Sequence, residues 1–329
     1  MSKTESNIVK GIAIFMMLCH HLWGFPERFP GYEIPHFLHV FGLSFCRLCV
    51  SLFLFVSGYG FAKSFEKKGF SYLDSKNRIL KTYSSYWKIF LIFIPIGFLG
   101  GWLSFDWKEM LLNIFCIDRS YNGEWWFLSM YIEMLLVYPI LCMAKNKKKI
   151  VVLAFISIII SRIFLDLCFD GVFPKKLGLK HLYYILYYWG ILMVGSLCAY
   201  GNVFETVRKK FSGKYFFLLW GFGTVVLMAI RKSLDVPEIT LLCVPMLILT
   251  VLSLPFRKRW ERIVAFMGEK SMNVWLIHSF ICYYYWQNLL LALKNPFLIL
   301  LALTLSSFCL AVIVDKIWMS VLLKGRREK

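Results

Sequence analysis

The chain has 329 residues, of which 59% are hydrophobic, 18% aromatic and only 17% charged, with a formal charge of +19 and a mean hydropathy of +0.64. A soluble domain would carry about 25% charged residues, so a water-soluble fold is excluded, and the apolar runs are continuous rather than alternating, which excludes an outer-membrane barrel. The remaining class is an all-α, polytopic membrane helix bundle.

A helix needs about 20 apolar residues to cross a bilayer. Runs of that kind fall at roughly 8–25, 41–62, 86–104, 124–143, 149–169, 183–200, 214–231, 238–254, 271–290 and 296–321. The expectation is about ten transmembrane helices in one membrane domain, 1–329. A basic cytoplasmic loop is expected at about 63–85 and a basic tail at 323–329, with no soluble domain appended. With alternating sides, the side holding both termini carries about 25 Lys and Arg, the other about 9. Both termini are therefore expected in the cytoplasm. The positive charge reads as a topology signal, and no nucleic-acid partner is needed to explain it. The first run lacks a small-residue cleavage site and reads as a span, not a signal peptide. The ten cysteines are scattered through the spans. Cys46 and Cys49, a C-x-x-C inside an apolar helix, read as packing residues, and no metal is expected. The composition is compatible with a homo-oligomer.

Ionisable residues inside membrane helices are costly and face a protein interior or a wet cavity. Here they are His20, His21, Arg47, Glu133, Arg162, Asp166, His278 and Asp315. Arg162 and Asp166, four residues apart, are expected to neutralise each other. Asp315, beside Lys316, reads as interfacial. His36, His39 and His181 read as surface groups. Lys10 and His21 are eleven residues apart, about three helical turns and about 16 Å, so they share a face. His20 points about 100° away. His278 lies eight residues beyond Lys270, about 12 Å deeper from the same side. Two histidines from opposite ends of the chain are thus expected at similar depth, where imidazoles suit acid–base chemistry.

Five separated motifs together resemble the integral-membrane acyltransferase family 3, the bacterial O-acetyltransferases. They are Lys10 followed at eleven residues by His21; "SLFLFVSGYGF" with Ser57 and Gly58; "NRILKTYSSYW" with Arg78 and Lys81; "EWWFLSMYIEMLLVYP" with Trp126 and Pro139; and Gly268, Ser271, Trp275 and His278. Many members place a glutamate five residues after the fourth motif's tryptophan. This chain has Tyr131 there, with Glu133 two residues later.

The resemblance implies a multi-pass protein of the bacterial cytoplasmic membrane, in contact with lipid. Its implied activity is transfer of an acyl group, usually acetyl, from cytoplasmic acetyl-CoA to a hydroxyl of a cell-surface carbohydrate or its lipid-linked glycan precursor. Lys10, Arg78 and Lys81 would hold the donor phosphates. His21 would act as general base or take the acyl group covalently. His278 would orient the acceptor or protonate the thiolate. Ser57 is either a hydrogen-bond donor or a packing residue. Trp126 is either an interfacial anchor or a sugar-stacking ring, and Arg47 either holds an anionic acceptor or pairs with Glu133. Two alternatives stand beside this reading: an acyl relay that serves a separate partner enzyme, and a proton-coupled transporter.

Overall fold

The computed structural model describes all residues except 70, 143–145, 170–174, 212, 214, 235 and 328–329; the side chains of 68, 142, 177 and 321–327 are likewise left aside. The described residues form helices joined by turns, with no strand among them. In chain order these are α1 (Lys3–Trp23), α2 (His36–Val40), α3 (Cys49–Lys68), α4 (Tyr72–Leu99), α5 (Trp107–Ile114), α6 (Trp126–Cys142) and α7 (Lys147–Phe169). Then follow α8 (Leu177–Tyr200), α9 (Val203–Lys210), α10 (Phe216–Leu234), α11 (Thr240–Ser253), α12 (Lys258–Ser279), α13 (Gln287–Leu291) and α14 (Pro296–Arg327).

Among the described residues, six helical stretches are long and apolar enough to cross a membrane: His36–Lys67, Tyr72–Leu99, Lys147–Phe169, Gly178–Tyr200, Phe216–Leu234 and Pro296–Ser320. The chain is a multi-pass membrane protein. The other expected spans coincide with helices that fall outside these limits. α6 and α11 have 17 and 14 residues. α1 and α12 each open on a polar or charged stretch, "KTESN" and "KRWER".

The expected basic loop at 63–85 is mostly helix. α3 continues to Lys68 and stops at Gly69, whose φ of +70° suits a residue without a Cβ. α4 then starts at Tyr72, where the Ser71 hydroxyl accepts the Asp74 amide at 3.4 Å. The basic side chains Arg78 and Lys81 therefore stand on a helix. The expected basic tail continues as helix to Arg327, and its side chains lie outside the described residues.

The chain divides into two compact units. One comprises Met1–Ala13, Leu48–Asn77 and Met130–Gly268; the other comprises Ile14–Arg47, Arg78–Ser129 and Glu269–Lys329. In the first unit, backbones touch at glycines. A Cβ at Gly58 of α3 would lie 1.9 Å from the Leu192 carbonyl of α8, and one at Gly195 would lie 2.2 Å from the Phe55 carbonyl. Gly11 and Gly268 face Val264 and Asn7 in the same reciprocal way. Small residues that let helix backbones meet are a usual device where lipid supplies no hydrophobic drive. The same unit holds Arg162, which turns to the Tyr187 carbonyl at 2.8 Å and to Glu238 at 3.4 Å, while Asp166 is exposed. Gly190 makes this possible, because a Cβ there would sit 2.9 Å from the guanidinium. The expected Arg162–Asp166 pair is replaced by this cross-helix arrangement.

The second unit is built on aromatics. Trp125 is fully buried, meets Tyr86 edge-on at 4.8 Å and donates its indole N–H to the Leu276 carbonyl at 3.2 Å. Phe93 stacks on Phe280 at 4.9 Å. Asn113, fully buried, ties the loop after α5: its amide donates to Ser120 and its carbonyl accepts from the Tyr121 amide. Two π-helical turns, Phe41–Phe45 and Phe280–Tyr284, lie in this unit. Such turns widen the helix and occur often at functional sites.

The glycine contacts generate a test. Gly58→Ala is expected to lower stability by about 1–3 kcal/mol through forced backbone separation. Gly60→Ala, two residues on with nothing within 4 Å of its Cβ, is expected to leave the melting temperature unchanged. Thermal unfolding of both variants in detergent checks this.

Candidate active site

All side chains described in this paragraph belong to the second unit. α1 carries His21 near its C-terminal end, and α12 carries His278 one residue before its end. Their ring centroids are 4.7 Å apart. The chain just beyond α12 enters the π turn, which brings Tyr283 to His21. The Tyr283 hydroxyl donates to the His21 backbone carbonyl at 2.5 Å. Its oxygen is therefore free to accept, and it lies 3.2 Å from His21 Nδ1. A second acceptor, the Glu124 carboxylate, stands 3.5 Å from the same nitrogen. Nδ1 thus faces two acceptors and carries the proton, which leaves the lone pair on Nε2.

His278 has the same tautomer for a different reason. Its Nδ1 is 2.6 Å from the Trp275 carbonyl, which can only accept. Nε2 therefore bears a lone pair, and it has no hydrogen-bond partner among the described residues. A buried, unpaired acceptor is costly, and a site for a substrate donor is one reason to keep it.

The Glu124 carboxylate is itself held. It is 8% exposed and accepts from Arg28 at 2.5 Å. The guanidinium lies 4.8 Å from the Phe25 ring centroid and 4.6 Å from that of Tyr283. Burial works against the charge of Arg28, but the adjacent carboxylate more than offsets it and raises the guanidinium pKa above its ordinary range. The turn that presents Glu124 is fixed by Asn122, whose side chain accepts the Glu124 amide and donates to Ser279 at 2.7 Å. The Arg28 contact at one oxygen leaves the other aimed at His21.

His20, next in the chain, has a different partner: its Nδ1 donates to the Gly42 carbonyl at 2.8 Å. His39, expected at a surface, donates in the same manner to the Trp23 carbonyl at 3.1 Å. Both satisfy backbone acceptors at the ends and bulges of helices.

The other residues singled out in the sequence are placed as follows. Lys10 shares α1 with His21 and lies in the first unit. Arg78 and Lys81 are one turn apart on α4. Ser57 donates to the Phe53 carbonyl of its own helix at 2.9 Å. Arg47 is exposed, in the short turn Cys46–Leu48. Trp126 is half-buried and meets Phe127 edge-on, while its neighbour Trp125 is the buried one. Glu133 is bound by His181, with both carboxylate oxygens within 3.0 Å of Nε2, in the first unit. The carboxylate beside His21 is Glu124. Its sequence signal is the Asn-Gly turn before a tryptophan pair, which aims a side chain without naming its target. Tyr283 and Arg28 carried no sequence signal, because each matters only through a contact more than 90 residues away.

Asp315, expected to be interfacial, accepts from Lys88 at 2.9 Å, Lys270 at 2.6 Å and Asn273 at 2.9 Å. Among the described residues, no group of three or more His, Cys, Asp or Glu side chains is arranged to hold a metal.

A histidine pair inside a helical membrane protein, one member oriented by a clamped carboxylate, is an arrangement for proton transfer. The sequence matches, over residues 4–316, the family described as an acyltransferase domain, and the chain belongs to this acyltransferase family 3. It is a membrane acyltransferase. No curated protein matches it, and no solved structure does.

The Arg28–Glu124 contact makes a stability prediction. Arg28→Met alone leaves the largely buried carboxylate without its cation and is expected to cost about 1–3 kcal/mol. Arg28→Met with Glu124→Leu is expected to cost less than the sum of the two single changes. A double-mutant cycle by thermal unfolding measures the difference.

Proposed function

We propose that the protein transfers an acyl group, acetyl in the first instance, from a cytoplasmic acyl-CoA to a hydroxyl group of a cell-surface glycan or its lipid-linked precursor in the bacterial cytoplasmic membrane. About ten helices cross the membrane, both termini are cytoplasmic, and the chain acts as one membrane domain. The observation that carries the reading is the surroundings of His21: Nδ1 faces Tyr283 at 3.2 Å and Glu124 at 3.5 Å, so Nε2 is a directed base.

In this reaction His21 Nε2 removes the proton from the acceptor hydroxyl as its oxygen attacks the thioester carbonyl carbon. The carbon–sulfur bond breaks, and the imidazolium returns its proton to the CoA thiolate. Glu124 stabilises the imidazolium while it exists, which is the service a carboxylate renders in hydrolytic triads. The His278 lone pair accepts a hydrogen bond from the acceptor and orients it. A covalent variant, with the acyl group first on His21 Nε2, uses the same atoms. Arg78 and Lys81 hold the phosphates of CoA. Arg47 and Trp126 serve the acceptor.

The test is release of CoA from acetyl-CoA by the purified protein with a polyol or glycan acceptor. His21→Ala is expected to abolish release and His20→Ala to retain it. Glu124→Gln is expected to lower turnover by about 10²-fold, within the range general-base catalysis supplies. Full activity in His21→Ala would refute the assignment.

A further inference from the structure

The second unit holds a charged cluster that the active site does not use. It is built around Asp315 of α14. Lys88 of α4 donates to Asp315 Oδ1 at 2.9 Å, and Lys270 of α12 donates to Oδ2 at 2.6 Å. Asn273, one turn after Lys270, adds its amide at 2.9 Å. The side chains are 12%, 25% and 27% exposed for Lys88, Lys270 and Asp315. Asp315 lies five residues before the end of a membrane-crossing stretch.

The charges do not balance. Two ammonium groups share one carboxylate, so a net positive charge remains in a partly buried place where uncompensated charge is expensive. The hydrogen bonds do not balance either. Each ammonium has three donors, and each spends one on Asp315. Lysines near a membrane edge usually extend to the headgroups. These two instead converge on one carboxylate, which holds the nitrogens side by side with no other hydrogen bond from either among the described residues. An anion with several oxygens completes such a set.

We infer that Lys88 and Lys270, pre-aligned by Asp315 and Asn273, form a phosphate-binding site. The position fits the acyl donor: Lys270 is eight residues before His278 on α12, about 12 Å along the helix. Lys81, seven residues before Lys88, continues the same face of α4. The donor assignment rests on the proposed acyl-CoA reaction. The phosphate of an anionic phospholipid offers the same chemistry.

Full-length wild type, Lys88→Gln and Lys270→Gln are reconstituted in phosphatidylcholine nanodiscs, and CoA and pantetheine, which lacks the phosphates, are titrated by calorimetry. A parallel series contains phosphatidylglycerol, with retained lipid counted by native mass spectrometry. Each substitution is expected to weaken CoA binding about tenfold and leave pantetheine binding unchanged, since a charge-assisted contact is lost. Lys88→Arg and Lys270→Arg are expected to restore CoA binding, which separates charge from folding. Loss of retained phosphatidylglycerol, with CoA binding unchanged, keeps the site and assigns it to lipid. If neither ligand responds in variants that melt as wild type does, the cluster is a structural ion network and the inference is overturned. Failure of the wild type to bind CoA would count against the proposed reaction, while the lipid series would still decide the site.

Discussion

The carboxylate of Glu124 is the point on which the active site depends. It is shared between a cation and an imidazole: Arg28 at one oxygen, His21 Nδ1 at the other. At 8% exposure the carboxylate has its cation in Arg28, and Glu124 with Tyr283 decides which nitrogen of His21 bears the proton. The surrounding construction serves that arrangement. The Asn122 turn aims Glu124, buried Trp125 pins the turn to α12, and the π turn after α12 swings Tyr283 to His21. Each part comes from a different stretch of the chain, and together they place a base near the C-terminal end of α1.

The helical membrane class was legible because apolar runs of sufficient length have one meaning in a bilayer. The histidine pair was legible because two ionisable groups on separate apolar helices had few other reasons to be there. What the sequence concealed is the pairing of charges. Arg162 and Asp166 satisfy the four-residue spacing of a helical ion pair, yet Gly190 on a neighbouring helix opens a better place for the guanidinium. Glu133 stands two residues past the place where many family members carry a glutamate, yet His181 takes both of its oxygens. Spacing along one helix constrains direction; the partner across the interface is set by packing. The 63–85 segment was misjudged for another reason. Its charges suggest solvent and hence a loop, but α3 runs on to Lys68 and the Ser71-x-x-Asp74 start signal opens α4 at Tyr72, so most of it is helical.

The glycines shared by the motifs gain a physical meaning. Gly58 and Gly268 stand where a neighbouring backbone carbonyl occupies the space of a Cβ. They are packing positions, and they lie in the first unit, while the histidines lie in the second. The motifs that identify the family therefore mix two kinds of residue. Some permit helices to approach, and others carry groups for chemistry. Ser57, whose hydroxyl is bonded within its own helix, sits next to one of the former.

The central claim is that acyl transfer occurs at His21 Nε2. The most direct measurement is a cryo-electron microscopy structure of the protein with a non-hydrolysable acyl-CoA analogue. The account predicts the carbonyl carbon of the analogue in contact with His21 Nε2, with Glu124 and Tyr283 still on Nδ1. An analogue whose acyl group lies away from both histidines would contradict it.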